Sequence, residues 1–181
     1  LPEIAPELCE PHLSCRVMAA VVHELEATRP DDVEAVLDDA GLPRNYVVDA
    51  ENWVSTEYVR RFAAALAQRV YGLDDTPPHD HEMWQHWRRA ARLALRPEVV
   101  GPIYGLLRAL GSPGRFYAQV PALHQRANRT TTSELRSRAN GRAVLSVRPA
   151  EGGVLESPNC WFQYGLFEAI PTLWGLEPAT V

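Results

Sequence analysis

The densest grouping of metal-binding side chain types in the sequence is His79, His81, Glu82 and His86. Glu82 and His86 stand one helical turn apart, a spacing at which a carboxylate and an imidazole can share an ion. The zinc-peptidase pattern needs two His at i and i+4 around a Glu base. Counted from His81, that second place holds Gln85, and His86 comes one residue late. Beside Pro77-Pro78, His and Asp are ordinary turn and cap residues, so a solvated helix start is expected and no metal site. Cys9 and Cys15 around His12 form a second, weaker grouping in the N-terminal segment, where no metal is expected either. No Gly-rich phosphate loop occurs, no Gly-x-Ser-x-Gly elbow, and no Cys/His pair in a recognisable local motif. Asp31-Asp32 and Asp38-Asp39 flank a short predicted helix, where capping and solvation account for them. No catalytic residue is predicted, and the chain is not expected to be an enzyme.

Composition narrows the classes further. At 181 residues, 46% hydrophobic and 23% charged, the chain can bury a substantial core as a single domain. We expect one sensor-sized domain over residues 1–181, with a helical part at 1–78 and helices, hairpin and a last helix at 79–181. All 18 basic residues are Arg, scattered along a chain of net charge −5. Nucleic-acid binders concentrate basic side chains on one face, so no nucleic-acid partner is expected. No stretch approaches the roughly 20 apolar residues of a membrane span. Residues 1–13 carry Glu3, Glu7 and Glu10 without a basic start, which argues against a signal peptide. Three cysteines, Cys9, Cys15 and Cys160, make no paired framework, which points to a reducing, cytoplasmic setting. The first residue is Leu1 and the last run, Leu176 to Val181, has no terminal punctuation, so a part of a longer polypeptide is expected.

These side chains must be positioned by elements whose signals are local. Ser14 can cap a helix reaching about Thr28, with Val17, Val21, Val22 and Leu25 as its apolar stripe. Asp31 can cap a short helix burying Val33, Val36 and Leu37 and closed by Gly41-Leu42-Pro43. Ser55, with Glu57 in the first turn, opens a helix to about Tyr71. Turn chemistry fills residues 72–80. Helices are predicted at 81–95, 98–110 and 115–128, the last kinked or broken at Pro121. Residues 130–149 read as a β-hairpin about Asn140-Gly141, since both central positions accept positive φ. Ala143, Leu145 and Val147 share one face of its returning strand. Ser157-Pro158 looks like an N-cap with Pro at the first helical position, opening a helix rich in aromatics. Trp84 and Trp87 give the 81–95 helix more aromatic surface than one short helix needs, which predicts a homodimer interface there.

Asn52-Trp53-Val54-Ser55 ahead of a helix, Val120-Pro121-Ala122-Leu123-His124 ahead of the hairpin, and Pro158-Asn159-Cys160 through Gly165 entering the last helix carry a resemblance. Together with the ending Ile170-Pro171-Thr172-Leu173-Trp174-Gly175-Leu176, they make nearly the whole chain similar to the H-NOX-like and 4-vinyl-reductase-like sensor superfamily. The best likeness is to input domains ahead of bacterial histidine kinases and nucleotide cyclases. The resemblance implies an α+β fold: a helical bundle, a small antiparallel sheet and a C-terminal aromatic helix. It also implies a sensory domain that binds a small apolar ligand and controls a C-terminal output domain. Cys160 and Gly165 look most like family positions. The Cys-rich stretch that follows in 4-vinyl-reductase-like modules does not occur within this sequence.

His124 falls roughly where H-NOX proteins place a haem ligand. The Tyr-x-Ser-x-Arg clamp for the propionates is absent, since Ser133-Glu134-Leu135-Arg136-Ser137-Arg138 lacks the Tyr. No haem is therefore expected. The resemblance brings Tyr104, Phe116, Tyr117, Trp161, Phe162, Tyr164, Phe167 and Trp174 around one cavity. Of these, Tyr104, Phe116, Tyr117, Trp161, Phe162, Tyr164 and Phe167, with His124, are the predicted ligand-binding residues. The rival expectations are a ligand-free dimerisation module and a haem-based gas sensor.

Overall fold

The computed structural model describes residues 4–97, 103–151, 153 and 155–181, and it is mainly helical with two small antiparallel sheets. Ser14 caps α1 (Cys15–Thr28) by accepting from the Arg16 N–H. A 3₁₀ turn at Pro30–Asp32 leads into α2 (Val33–Ala40), which ends at Gly41 with φ 92°. The expected Asp31 cap is not made: Asp31 lies inside that turn, Asp32 occupies the N-cap, and neither carboxylate caps the helix. Pro30 favours the turn because its fixed φ suits a first helical position. One turn of helix, α3 (Arg44–Val47), follows. Strands β1 (Leu13–Ser14) and β2 (Trp53–Val54) pair as a two-residue ladder that the sequence does not announce. Ser55 then accepts from the Tyr58 N–H and starts α4 (Thr56–Tyr71), which ends at Gly72 in the left-handed region.

After the turn at 72–80, a 3₁₀ segment at Glu82–Trp84 runs into α5 (Gln85–Leu93). Both tryptophans of this segment are fully buried, with Trp87 edge-on to Phe62 of α4. The predicted interface at Trp84 and Trp87 is thereby overturned. Their apolar area goes into the core between α1, α4 and α5, and the exposed side of α5 carries Arg89 and Arg92. α6 (Ile103–Ala109) covers the later part of the helix expected at 98–110, whose first residues lie outside the described set. α7 (Pro113–Ala127) runs through Pro121 without a break. A proline inside a helix forfeits one N–H bond, here to the Tyr117 carbonyl, and packing of Phe116 and Val120 against the following helix holds the turn together.

Strands β3 (Thr131–Ala139) and β4 (Arg142–Pro149) form the hairpin, with Asn140 at φ 52° and Gly141 at φ 73°. That is the positive-φ pair a two-residue hairpin turn needs. A bulge at Arg136 shifts the register between Leu135 and Ser137. α8 (Ser157–Ala169) has Glu156 at its N-cap and Ser157 as its first residue. The helix thus begins one residue earlier than a Ser157 cap implies, and no side chain caps it. A 3₁₀ turn at Ile170–Trp174 ends in Gly175.

Two apolar clusters result. The larger gathers residues from α1 to α5 and takes in Phe162 of α8, while the smaller joins Leu95, Phe116, Val120, Ala169, Ile170 and Leu173. Leu166 touches both. Among the described residues, no helix is long and apolar enough to cross a membrane.

Candidate functional site

The two clusters do not close completely against each other. At their seam lies a half-open cavity of about 200 Å³, walled by Leu13 of β1, by Val17 of α1, by one face of α7 and by one face of α8. The α7 wall is Phe116, Val120, Leu123, His124 and Ala127, with Asn128 just beyond it. The α8 wall is Asn159, Phe162, Gln163, Leu166 and Phe167. Both sets recur at three and four residues, the spacing of a single helical face.

Polar bonds frame one end of the seam. Asn128 ends α7 and its side-chain oxygen accepts from the Thr130 and Thr131 N–H groups at 2.8 and 3.0 Å, turning the chain into the hairpin. The Arg129 N–H donates to the His12 carbonyl at 2.8 Å, tying that turn to β1. Next to it, His124 Nε2 lies 2.7 Å from the Thr131 hydroxyl. Burial pushes the His124 imidazole below its ordinary value, partly offset by its bond to Thr131. Among the described residues, no Asp, Glu or Arg lines the cavity.

A second, larger hollow lies on the other side of α8. This open groove, about 1220 Å³, runs between the hairpin, α8 and residues 176–181. Tyr117, Tyr164, Leu155, Val144 and Leu176 are among its walls, with Arg138 and Arg142 at the hairpin end. Gln163 and Phe167 line both hollows and so form the partition between them.

The residues expected around one cavity are thus distributed. Phe116, His124, Phe162 and Phe167 line the inner cavity, and Tyr117, Tyr164 and Phe167 line the outer groove. The Tyr117 hydroxyl donates to the Phe167 carbonyl at 2.7 Å. Tyr104 and Trp174 pack into the smaller cluster, with Trp174 edge-on to Phe116 and its indole N–H on the Arg108 carbonyl. Trp161 lines neither hollow: its indole N–H donates to the His79 carbonyl at 2.7 Å and its ring lies beside His79, Tyr164 and the Arg88 guanidinium. Asn159 and Gln163 are not among the predicted residues, although a pair of amides at i and i+4 among Phe162, Leu166 and Phe167 is a polar interruption of an apolar face.

The His79 group faces three separate partners. His79 Nδ1 is 3.1 Å from the Ser157 hydroxyl, His81 Nδ1 accepts from the Met83 N–H, and His86 Nε2 donates to the Val21 carbonyl at 3.1 Å. Among the described residues, no three His, Cys, Asp or Glu side chains are grouped to hold an ion. No family model, no curated protein and no solved structure matches this chain.

Proposed function

We propose that this chain is a non-catalytic regulatory domain that takes a small, mainly apolar molecule into the inner cavity and signals its presence to an output unit. The observation that carries the reading is the hollow itself: a half-open, mainly apolar cleft at the seam of two cores, with a few polar groups converging on it. Ligand sites have this composition. α8 supplies five of the wall residues and is continuous with the C-terminal segment, which docks back through the Ala179 N–H on the Glu168 carbonyl at 2.9 Å. A shift of α8 on binding therefore moves the segment that follows it.

Support for a non-catalytic role comes from the one imidazole and hydroxyl pair near the chamber. Thr131 is 1% exposed and does not line the cavity, so its hydroxyl is not presented to the contents. A haem does not fit the residues present. The chamber is smaller than the roughly 300–1,000 Å³ of drug-sized ligand sites, and His124 Nε2 is engaged by Thr131. A second reading, an interaction module working through the outer groove, is favoured by the exposed Val144, Leu155, Tyr164, Leu176 and Val181 on its walls.

Native mass spectrometry of the gently purified protein, paired with amide chemical shifts under a saturating set of ring-sized fragments, tests the first reading. The expected result is a retained adduct, or shifts centred on Val120, Phe162 and Gln163. A chain that carries nothing and shows shifts only at Val144, Tyr164 and Leu176 overturns it in favour of the second.

A further inference from the structure

Among the described residues β4 pairs only with β3, and β3 is the strand that α7 packs against, through His124 on Thr131 and the Arg138 guanidinium on the Gly114 carbonyl at 2.5 Å. The far edge of β4 therefore presents its outward N–H and C=O groups with no backbone partner among the described residues, and no residue of the strand is buried. A free edge of this kind is a template for another strand. Edges guarded against pairing carry a charge, a proline or a bulge. Ala143-Val144-Leu145-Ser146-Val147 has none of these, since the bulge of the hairpin lies on β3.

Charge restricts what can pair with it. Of the charged residues in 131–149, Glu134 and Arg136 form an ion pair at 3.0 Å and Arg138 is held by Gly114. Arg142 and Arg148 are exposed, bracket the free edge and make no ion pair among the described residues. They lie on one face of the strand six residues apart, about 20 Å at the rise of a strand. Ala143, Leu145 and Val147 alternate with them and line the outer groove. A second copy of the chain pairing antiparallel about Leu145 would set Arg142 against Arg148 twice, and like charges opposite each other destabilise a ladder. The edge is instead complementary to an acidic strand. Resting on the interaction reading of the outer groove and independent of the inner cavity, we infer that β4 takes an extended segment of a partner protein as a third strand. That segment carries two acidic residues six apart, opposite Arg142 and Arg148, and apolar residues opposite Ala143, Leu145 and Val147. Main-chain hydrogen bonds supply the affinity of such strand addition, and alternate side chains its specificity.

The probe is the end-blocked peptide Glu-Val-Thr-Val-Thr-Val-Glu, compared with one bearing Lys at both ends and one bearing Pro at two adjacent central positions. One of those prolines must face β4, because ladder N–H groups alternate sides. Each peptide is titrated into the whole chain and followed by amide chemical shifts, with sedimentation of the chain alone. The acidic peptide is expected to move the amides of residues 142–148 and to bind about tenfold tighter than the Lys peptide at low salt, as two attractive pairs become repulsive. The Pro peptide is expected not to bind. In Arg142→Glu with Arg148→Glu the charge preference reverses. Equal binding of the acidic and Lys peptides overturns the acidic partner, and undiminished binding of the Pro peptide overturns strand addition. Shifts confined to Tyr164 and Leu176 overturn the edge as the site and leave the groove reading standing, whereas no shift at either place overturns both. Self-association of the chain that protects the β4 amides makes the occupant a second copy and overturns the proposal. The contrast among the three peptides on the wild-type chain decides even where the variant does not fold.

Discussion

Gly165 of α8 lies against the Arg88 carbonyl of α5 so closely that a β-carbon on Gly165 would sit 2.0 Å from that oxygen. The two helices cross with backbone against backbone, and Gly165 is the residue that permits it. This crossing sets the position of the α8 face that walls the inner cavity, because Phe162 and Leu166 stand on either side of it. The same approach places the Arg88 side chain over the Trp161 ring and within reach of Glu168.

Gly165→Ala is expected to destabilise the fold by about 3 kcal/mol, the upper part of the usual range for overpacking, because backbone rather than a flexible side chain must yield. For a chain of this size that is a fall in Tm of roughly 6–12 °C. Thermal unfolding at matched pH checks it, and an unchanged Tm would mean that α5 and α8 separate freely.

Glu168 binds Arg88 and Arg92 together, with its own side chain 8% exposed and those of the arginines 29% and 51%. The Arg88 hydrogen bond, aided by Arg92, holds the Glu168 carboxyl below its ordinary value of 4.5. A carboxyl lowered in the fold adds stability above its unfolded pKa and loses it as pH falls through the lowered folded value. Glu168→Gln should therefore cost roughly 2 kcal/mol at pH 7, below the range for a fully buried pair because both arginines reach solvent. Urea denaturation of both proteins at pH 7 and pH 3 should show the gap narrowing in acid; a gap independent of pH would refute the charge argument.

His86 is 2% exposed beneath α1, and burial pushes its imidazole down to about 4 from 6.5. The unfolded chain then takes up the proton first, so stability falls as pH drops from 6.5 to about 4. Across that interval the loss is on the order of 3 kcal/mol, because each tenfold change in proton affinity between the folded and unfolded chain is worth about 1.4 kcal/mol. His86→Gln keeps a donor for the Val21 carbonyl and removes the titration. Denaturation midpoints between pH 7 and pH 4 should decline less in the variant, and parallel declines would assign the acid sensitivity elsewhere.

Most of the local scaffold was legible because its signals act over three or four residues. Ser14 and Ser55 cap their helices, Gly41 and Gly72 end theirs with positive φ, and Asn140-Gly141 turns the hairpin. Each is a backbone hydrogen bond or dihedral settled by residue type. The sequence by itself also determined that α8 is rich in aromatic side chains. What those side chains meet was decided only by tertiary packing. Trp84 and Trp87 are buried because α1 and α4 arrive from distant sequence to cover them, and no local rule distinguishes a core tryptophan from an interface one. Pro121 remains within a helix because long-range contacts outweigh one missing hydrogen bond. The predicted aromatic set is divided between two hollows because α8 presents one face to each. Asn159 lines the seam only because α8 meets α7 and the start of the chain there, a property of the space around a residue and not of the residue.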